Sequence, residues 1–183
     1  MATEDQVGRD RSSLRVLVLA DTHLHGDLAK LPPEVWTYAD AADVILHAGD
    51  VVTGDLLTAL GRRAGKPVHA VLGNNDRALL GLLPDRLEVE LEGLRVGMVH
   101  DSGARAGREA RLKRWFPEAQ LVVFGHSHEP LDAEGVAGQR LFNPGSAVQR
   151  RRQPYRSIGW LEIAEGRLHR HEIVPLPPLP PPS

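Results

Sequence analysis

Apolar residues in this chain come in short runs between polar and glycine-rich stretches. Val16–Ala20, Val44–Leu46, Val68–Leu72, Val96–Val99 and Leu121–Phe124 are strand-length and rich in Val, Leu and Ile. That is the composition of strands covered on both faces. Between several of them the pattern turns helical. Pro33 suits a first helical position before Glu34–Ala39. Asp55 is placed to cap Leu56–Leu60, which closes near Gly61 and Gly65. Gly107–Trp115 sets Ala110, Leu112 and Trp115 among charges and stops before Pro117. Strands alternating with such helices predict βαβ units. Glu92-Gly93, between Leu87–Leu91 and Leu94–Val99, predicts a hairpin turn. Glu165-Gly166, between Ser157–Ala164 and Arg167–Val174, predicts a second. The sum is a mixed α/β domain, two packed sheets with helices outside.

The 183 residues suit one domain, running from 14 to 174. Residues 1–13 read as a loose polar leader and 175–183 as a disordered, extended Pro-rich tail. With no Cys, the chain has no disulfide scaffold, thiolate nucleophile, Cys-based zinc finger or iron–sulfur cluster. The formal charge of −2 gives no global basic field for nucleic acid or anionic lipid. No apolar stretch approaches the ~18–20 residues needed to span a bilayer. Val16–Ala20 is too short for a signal-peptide core, so a cytoplasmic location is expected by default.

The chemistry lies at the carboxyl end of each apolar run. In chain order the runs end in Asp21-Thr22-His23, Gly49-Asp50, Gly73-Asn74-Asn75-Asp76, His100 and Gly125-His126-Ser127-His128. In open α/β sheets ligands bind outside the carboxyl ends of strands, so these residues are expected to converge. Asp21, His23, Asp50, Asn74, His100, His126 and His128 offer only oxygen and nitrogen donors. That set suits Mn, Fe, Co, Ni or Zn rather than Cu(I) or a pure-oxygen Ca site. Seven donors exceed the needs of one tetrahedral ion and suffice for two if a carboxylate bridges. Two ions about 3.5–4 Å apart form a clamp for in-line displacement at phosphorus. The i, i+2 spacings of Asp21/His23 and His126/His128 place each pair on one side if the backbone stays extended.

The ordered set resembles the calcineurin-like metallophosphoesterase superfamily. The short length, and Asn143-Pro144-Gly145-Ser146 soon after the last His pair, make it most similar to the small YfcE-like phosphodiesterase branch. The resemblance implies a four-layer α/β/β/α sandwich and a dinuclear centre of divalent metal ions, with Mn2+ favoured over Ni2+, Fe2+, Co2+ or Zn2+. It implies that Asp21, His23 and His128 hold one metal, that Asn74, His100 and His126 hold the other, and that Asp50 bridges both. The attacking species would be hydroxide held between the ions. Asn74 would also reach a phosphate oxygen, and Asp76 would orient the site from behind. Many larger relatives carry a His as general acid where this chain has Asn75, a residue otherwise placed to contact substrate. Asn cannot protonate a leaving alkoxide. Asp101 follows His100 where Gly is common, and reads as a turn residue.

Other polar residues have plainer expected roles. His25 reads as a surface-loop residue, and His47 as a packed, hydrogen-bonded neighbour of the site. Asn143 reads as a brace for the ligand loops. Arg150-Arg151-Arg152 reads as a solvated surface run that could steer anions.

The expected function is metal-dependent hydrolysis of small phosphodiesters. One alternative is a non-catalytic protein-binding scaffold, since a retromer scaffold subunit within the superfamily resembles this branch. Another is a nuclease, though few aromatics and an acidic balance argue against a long nucleic-acid partner. No membrane partner is expected. Relatives of this kind often self-associate, so a homo-oligomer is an open expectation, with no stretch marking an interface.

Overall fold

A computed structural model describes residues 13–178. The expected leader and most of the expected tail lie outside the described residues. Among the described residues there are ten strands and three α-helices, most of them where the apolar pattern places them. The first sheet contains β1 (Leu14–Leu19), β2 (Val44–His47), β3 (Val68–Ala70), β9 (Arg156–Ala164) and β10 (Arg167–Leu176), in the order β10-β9-β1-β2-β3. The second contains β4 (Arg86–Leu91), β5 (Leu94–Val99), β6 (Leu121–Val123), β7 (Leu131–Glu134) and β8 (Arg140–Asn143), in the order β4-β5-β6-β8-β7. Both sheets are mixed. β1, β2 and β3 run parallel, as do β5, β6 and β8, while the hairpins β4–β5 and β9–β10 are antiparallel. Both hairpins turn on the predicted Glu-Gly pair, with φ of 47° and 80° at Glu92 and Gly93, and 51° and 70° at Glu165 and Gly166. Two successive positive φ values match the right-handed twist of the strands they join.

Strand alternation builds the layers. Val16 and Val18 of β1 face the second sheet, in a core with Val96, Met98, Leu121, Val123 and Phe142. Leu17 and Leu19 face outward onto α1 (Pro33–Ala41) and α2 (Asp55–Ala64) through Val35, Ala39, Leu56 and Leu60. On the far side α3 (Arg108–Trp115) buries Leu112, with Phe116, against Val122 and Leu141. A Cβ on Gly97 would stand 2.6 Å from the Phe116 ring, so glycine there lets this layer approach the sheet. The result is the four-layer α/β/β/α sandwich.

The apolar pattern does not mark every element. β7 is a four-residue edge strand without an apolar run, and β8 runs straight into the Asn-Pro turn at its end. Asp55 is the first helical residue, not the cap, and Gly54 holds the cap position. The last strand continues through Pro175 and Leu176, beyond the expected boundary, pairing with Ser157 and Arg156. Proline is tolerated there because β10 is an edge strand. No helix among the described residues is long and apolar enough to cross a membrane.

Candidate metal centre

The two parallel sets of strands deliver their carboxyl ends to one place. Asp21 follows β1 and donates its N–H to Gly49 O at 3.0 Å, and His23 N–H reaches Asp50 O at 3.1 Å. Across the sheets, His126 N–H donates to Asp21 Oδ2 at 2.9 Å. The backbone here is not extended as the i, i+2 spacing suggested. Asp21, His23, Asp50, His126 and His128 have φ of 54°, 47°, 57°, 68° and 59°. Left-handed conformations at non-glycine residues cost energy and persist only where the surroundings enforce them, which is common at functional sites. The local turn chemistry is equally tight. A Cβ on Gly73 would overlap Asp50 N and Oδ1, and one on Gly49 would stand 2.7 Å from His100 Nδ1.

Seven side chains converge. Asp21 Oδ1 lies 3.4 Å from His128 Nε2, 3.9 Å from His23 Nε2 and 4.0 Å from His100 Nε2. Asp50 Oδ2 lies between the last two, 3.5 Å from His23 Nε2 and 3.4 Å from His100 Nε2. His23 and His128 bring their Nε2 atoms within 3.3 Å. Asn74 Oδ1 is 3.0 Å from both His100 Nε2 and His126 Nδ1. Asp21, His23 and His128 could hold one metal ion, and Asp21, Asp50 and His100 form a second such group. Asp21 is thus common to both groups, in addition to Asp50, which reaches both His23 and His100.

These groups fit a cation. Asp21 is fully buried, yet its Oδ1 has no hydrogen-bond partner. An orphaned carboxylate oxygen is costly in a low-dielectric site unless a positive charge compensates it. His100 Nδ1 lies 2.7 Å from Ala48 O and His128 Nδ1 2.5 Å from Gln149 O. A carbonyl only accepts, so Nδ1 carries the proton and the Nε2 lone pair of each neutral ring faces the cluster. Two ligand atoms each ~2.1 Å from one ion stand ~3.0–3.4 Å apart at right or tetrahedral angles. The shorter spacings above fall on that edge length.

Metal-free electrostatics agree with this fit. Burial, reinforced by Asp50, pushes the Asp21 carboxyl up to about 7, against the pull of His100. Burial also pushes Asp50 up, but hydrogen bonds from His100 and Asn75 outweigh it and hold it well below the carboxylate range. His128 is pushed down to about 4 by burial, and His23 is lowered for the same reason. His100 is raised, because Asp50 and Asp21 outweigh its own burial. Without a cation, only Asp21 and His100 are driven towards their protonated forms, which offsets the negative charge of the cluster.

Asp76 is buried behind the ligands. Its Oδ2 accepts Asp50 N–H at 3.0 Å and Gly73 N–H at 2.7 Å, and its Oδ1 accepts Val52 N–H at 2.6 Å. Asn75 donates its backbone N–H to Asp50 Oδ1 at 2.8 Å and its side-chain amide to Oδ2 at 2.7 Å. The amide expected to meet substrate is therefore spent on Asp50. Asn143 donates to Gly125 O at 3.0 Å and Ser127 Oγ at 3.2 Å, bracing the His126–His128 loop. His25 is exposed, and Asp101 accepts Gly103 N–H in a turn while lying 3.9 Å from His126 Nε2. His47 is fully buried and pairs with Thr22 Oγ1 at 3.1 Å.

A calcineurin-like phosphoesterase superfamily domain is matched over residues 14–166. The chain belongs to this superfamily. A probable metallophosphoesterase of Methanothermobacter thermautotrophicus is 34% identical to this chain over 131 residues, covering 70% of this chain and 74% of its own. Two solved structures show the same fold. Vps29 of Entamoeba histolytica complexed with Zn2+ has a TM-score of 0.69 at 24% identity, covering 85% of this chain and 89% of its own. A novel archaeal phosphodiesterase has a TM-score of 0.68 at 21% identity, covering 88% and 100%.

Sequence reasoning missed two contributions to the cluster. Ser146 Oγ donates to Asp21 O at 2.7 Å, and the carbonyl of Gln149 orients His128. A backbone carbonyl leaves no mark on residue identity. The Asn-Pro-Gly-Ser turn was the one available signal for the first.

Proposed function

We propose that this phosphoesterase hydrolyses small phosphodiesters at a dinuclear centre, with Mn2+ the favoured cation for the nitrogen and oxygen donor set. Asp21, His23 and His128 would hold one cation, and Asn74, His100 and His126 the other, with Asp50 between them. The observation that carries this reading is the buried, unpartnered Oδ1 of Asp21 facing three imidazoles. When bound, the cations would polarise the phosphoryl oxygens and lower the pKa of the attacking water.

The chain's own residues prepare the rest. The backbone N–H and side-chain amide of Asn75 both donate to Asp50 and help keep it ionised, against its burial. Asp76 fixes the Asp50 and Asn74 turns through three backbone N–H groups. Carbonyls set the tautomers of His100 and His128. No imidazole stands at position 75 to protonate the leaving alkoxide, and the Asn75 amide is committed to Asp50. Substrates with acidic leaving alcohols, or with water as proton source, fit that arrangement. The archaeal phosphodiesterase neighbour is in keeping with this at the level of fold.

A protein-binding role is the second reading, favoured by the Vps29 neighbour. It is weakened by the filling of every ligand position. The test is hydrolysis of bis(p-nitrophenyl) phosphate and its monoester by chelator-stripped protein with Mn2+ restored. Turnover of the diester in preference to the monoester, lost in D50N with the fold intact, is expected. No turnover with Mn2+, Ni2+, Fe2+, Co2+ or Zn2+ would leave the binding role.

A further inference from the structure

The loop between β8 and β9 laces itself to both halves of the cleft. Ser146 Oγ holds Asp21 O, and accepts Val148 N–H at 3.2 Å and Gln149 N–H at 2.9 Å. Gln149 O then holds His128. Beyond it a tight turn forms, with Gln153 N–H on Arg150 O at 2.9 Å and the Arg150 guanidinium on Gln153 O at 2.6 Å. At the tip of that turn Arg151 has φ of 49°, a left-handed conformation at a long side chain.

Arg151 is exposed, yet its guanidinium is held at the rim, 3.5 Å from the carbonyl oxygen of His126. Among the described residues no carboxylate lies within ion-pairing distance of it. Arg152, one residue on, makes no such contact among the described residues.

We propose that Arg151 is a substrate-anchoring residue, its guanidinium taking the non-bridging oxygens of a phosphate group seated at the cleft rim beside His126. The inference rests on the reading of the cleft as a phosphoester site. Guanidinium matches phosphate through paired N–H donors, so both charge and fork geometry matter.

The test is calorimetric binding of inorganic phosphate to Mn2+-loaded protein, with steady-state kinetics on the chromogenic diester beside it. In R151Q phosphate affinity is expected to fall about tenfold, and KM to rise by a similar factor, with kcat changing less. Metal content should match wild type. R151K should recover part of the loss, and R152Q should bind phosphate as wild type does. Phosphate affinity in R151Q within twofold of wild type overturns the inference. Wild type that binds Mn2+ and phosphate, and weakens on R151Q, but turns over no diester removes the phosphodiesterase reading and supports Arg151 as an anion anchor. Wild type that binds no phosphate overturns both.

Discussion

Replacing Asp76 with Asn changes one atom type and leaves shape alone, so its cost isolates the carboxylate. Asp76 is buried and accepts three backbone N–H groups, from Asp50, Gly73 and Val52, at 2.6–3.0 Å. A hydrogen bond to a charged group contributes roughly 1.5–3 kcal/mol, and a stranded buried donor costs about 1–3 kcal/mol. In D76N the remaining oxygen can serve at most two of the three donors without charge, and the new NH2 group faces an N–H. A loss of about 2–4 kcal/mol is expected. That is a large part of the ~5–15 kcal/mol that typically holds a domain together. Urea unfolding of both proteins in chelator measures it, and an unchanged m-value shows that the same structure is unfolding. The Asp50 and Asn74 turns both hang on this carboxylate, so Mn2+ affinity should also drop by about 10–100-fold. Stability within ~0.5 kcal/mol of wild type, the range of an ordinary surface change, would refute the reasoning.

Neighbouring residues give further expected outcomes. G73A puts a methyl group on Asp50 and should abolish Mn2+ retention in equilibrium dialysis; full metal content would contradict this. Asp21, pushed up to about 7 by burial, must lose its proton before a cation binds. Mn2+ affinity should therefore fall at least about tenfold per pH unit below 7, since His100 is raised as well, with proton release visible by calorimetry in buffers of different ionisation enthalpy. A flat profile from pH 5.5 to 7 would count against Asp21 as a ligand. His47, lowered to about 3 by burial, stays neutral in the folded chain while the unfolded chain takes up its proton from about pH 6.5 downward. Its share of stability is present above pH 6.5 and is lost as pH falls towards 3, by up to ~1.4 kcal/mol per unit. Metal-free H47Q should show a shallower acid slope by urea unfolding, and an equal slope would sink this assignment.

Much of the sandwich could be read from the chain because its central strands are buried on both faces. Val16–Ala20, Val44–Leu46 and Leu121–Phe124 carry unbroken apolar runs, and nothing but a covered strand needs them. β7 escaped because an edge strand of Leu-Asp-Ala-Glu exposes alternate residues and looks like loop. β8 escaped because Asn143-Pro144 reads as a turn. Its Leu141 and Phe142 are nonetheless buried, one against α3 and one between the sheets. The residues of the site were legible because each ends a run. Their backbone was not, since the left-handed turns at Asp21, His23 and Asp50 are imposed by neighbours distant in sequence. The same holds for Arg151, whose place at the rim depends on where Gln149 and Ser146 are tied.

The central claim is that Asp21 and Asp50 stand at the meeting point of two cation sites. Anomalous diffraction from crystals grown with Mn2+ tests it most directly. Two peaks about 3.5–4 Å apart are expected, one beside His23 and His128, the other beside Asn74, His100 and His126, with Asp50 reaching both. A single fully occupied peak, or none within ligand distance of Asp21 Oδ1, would contradict it.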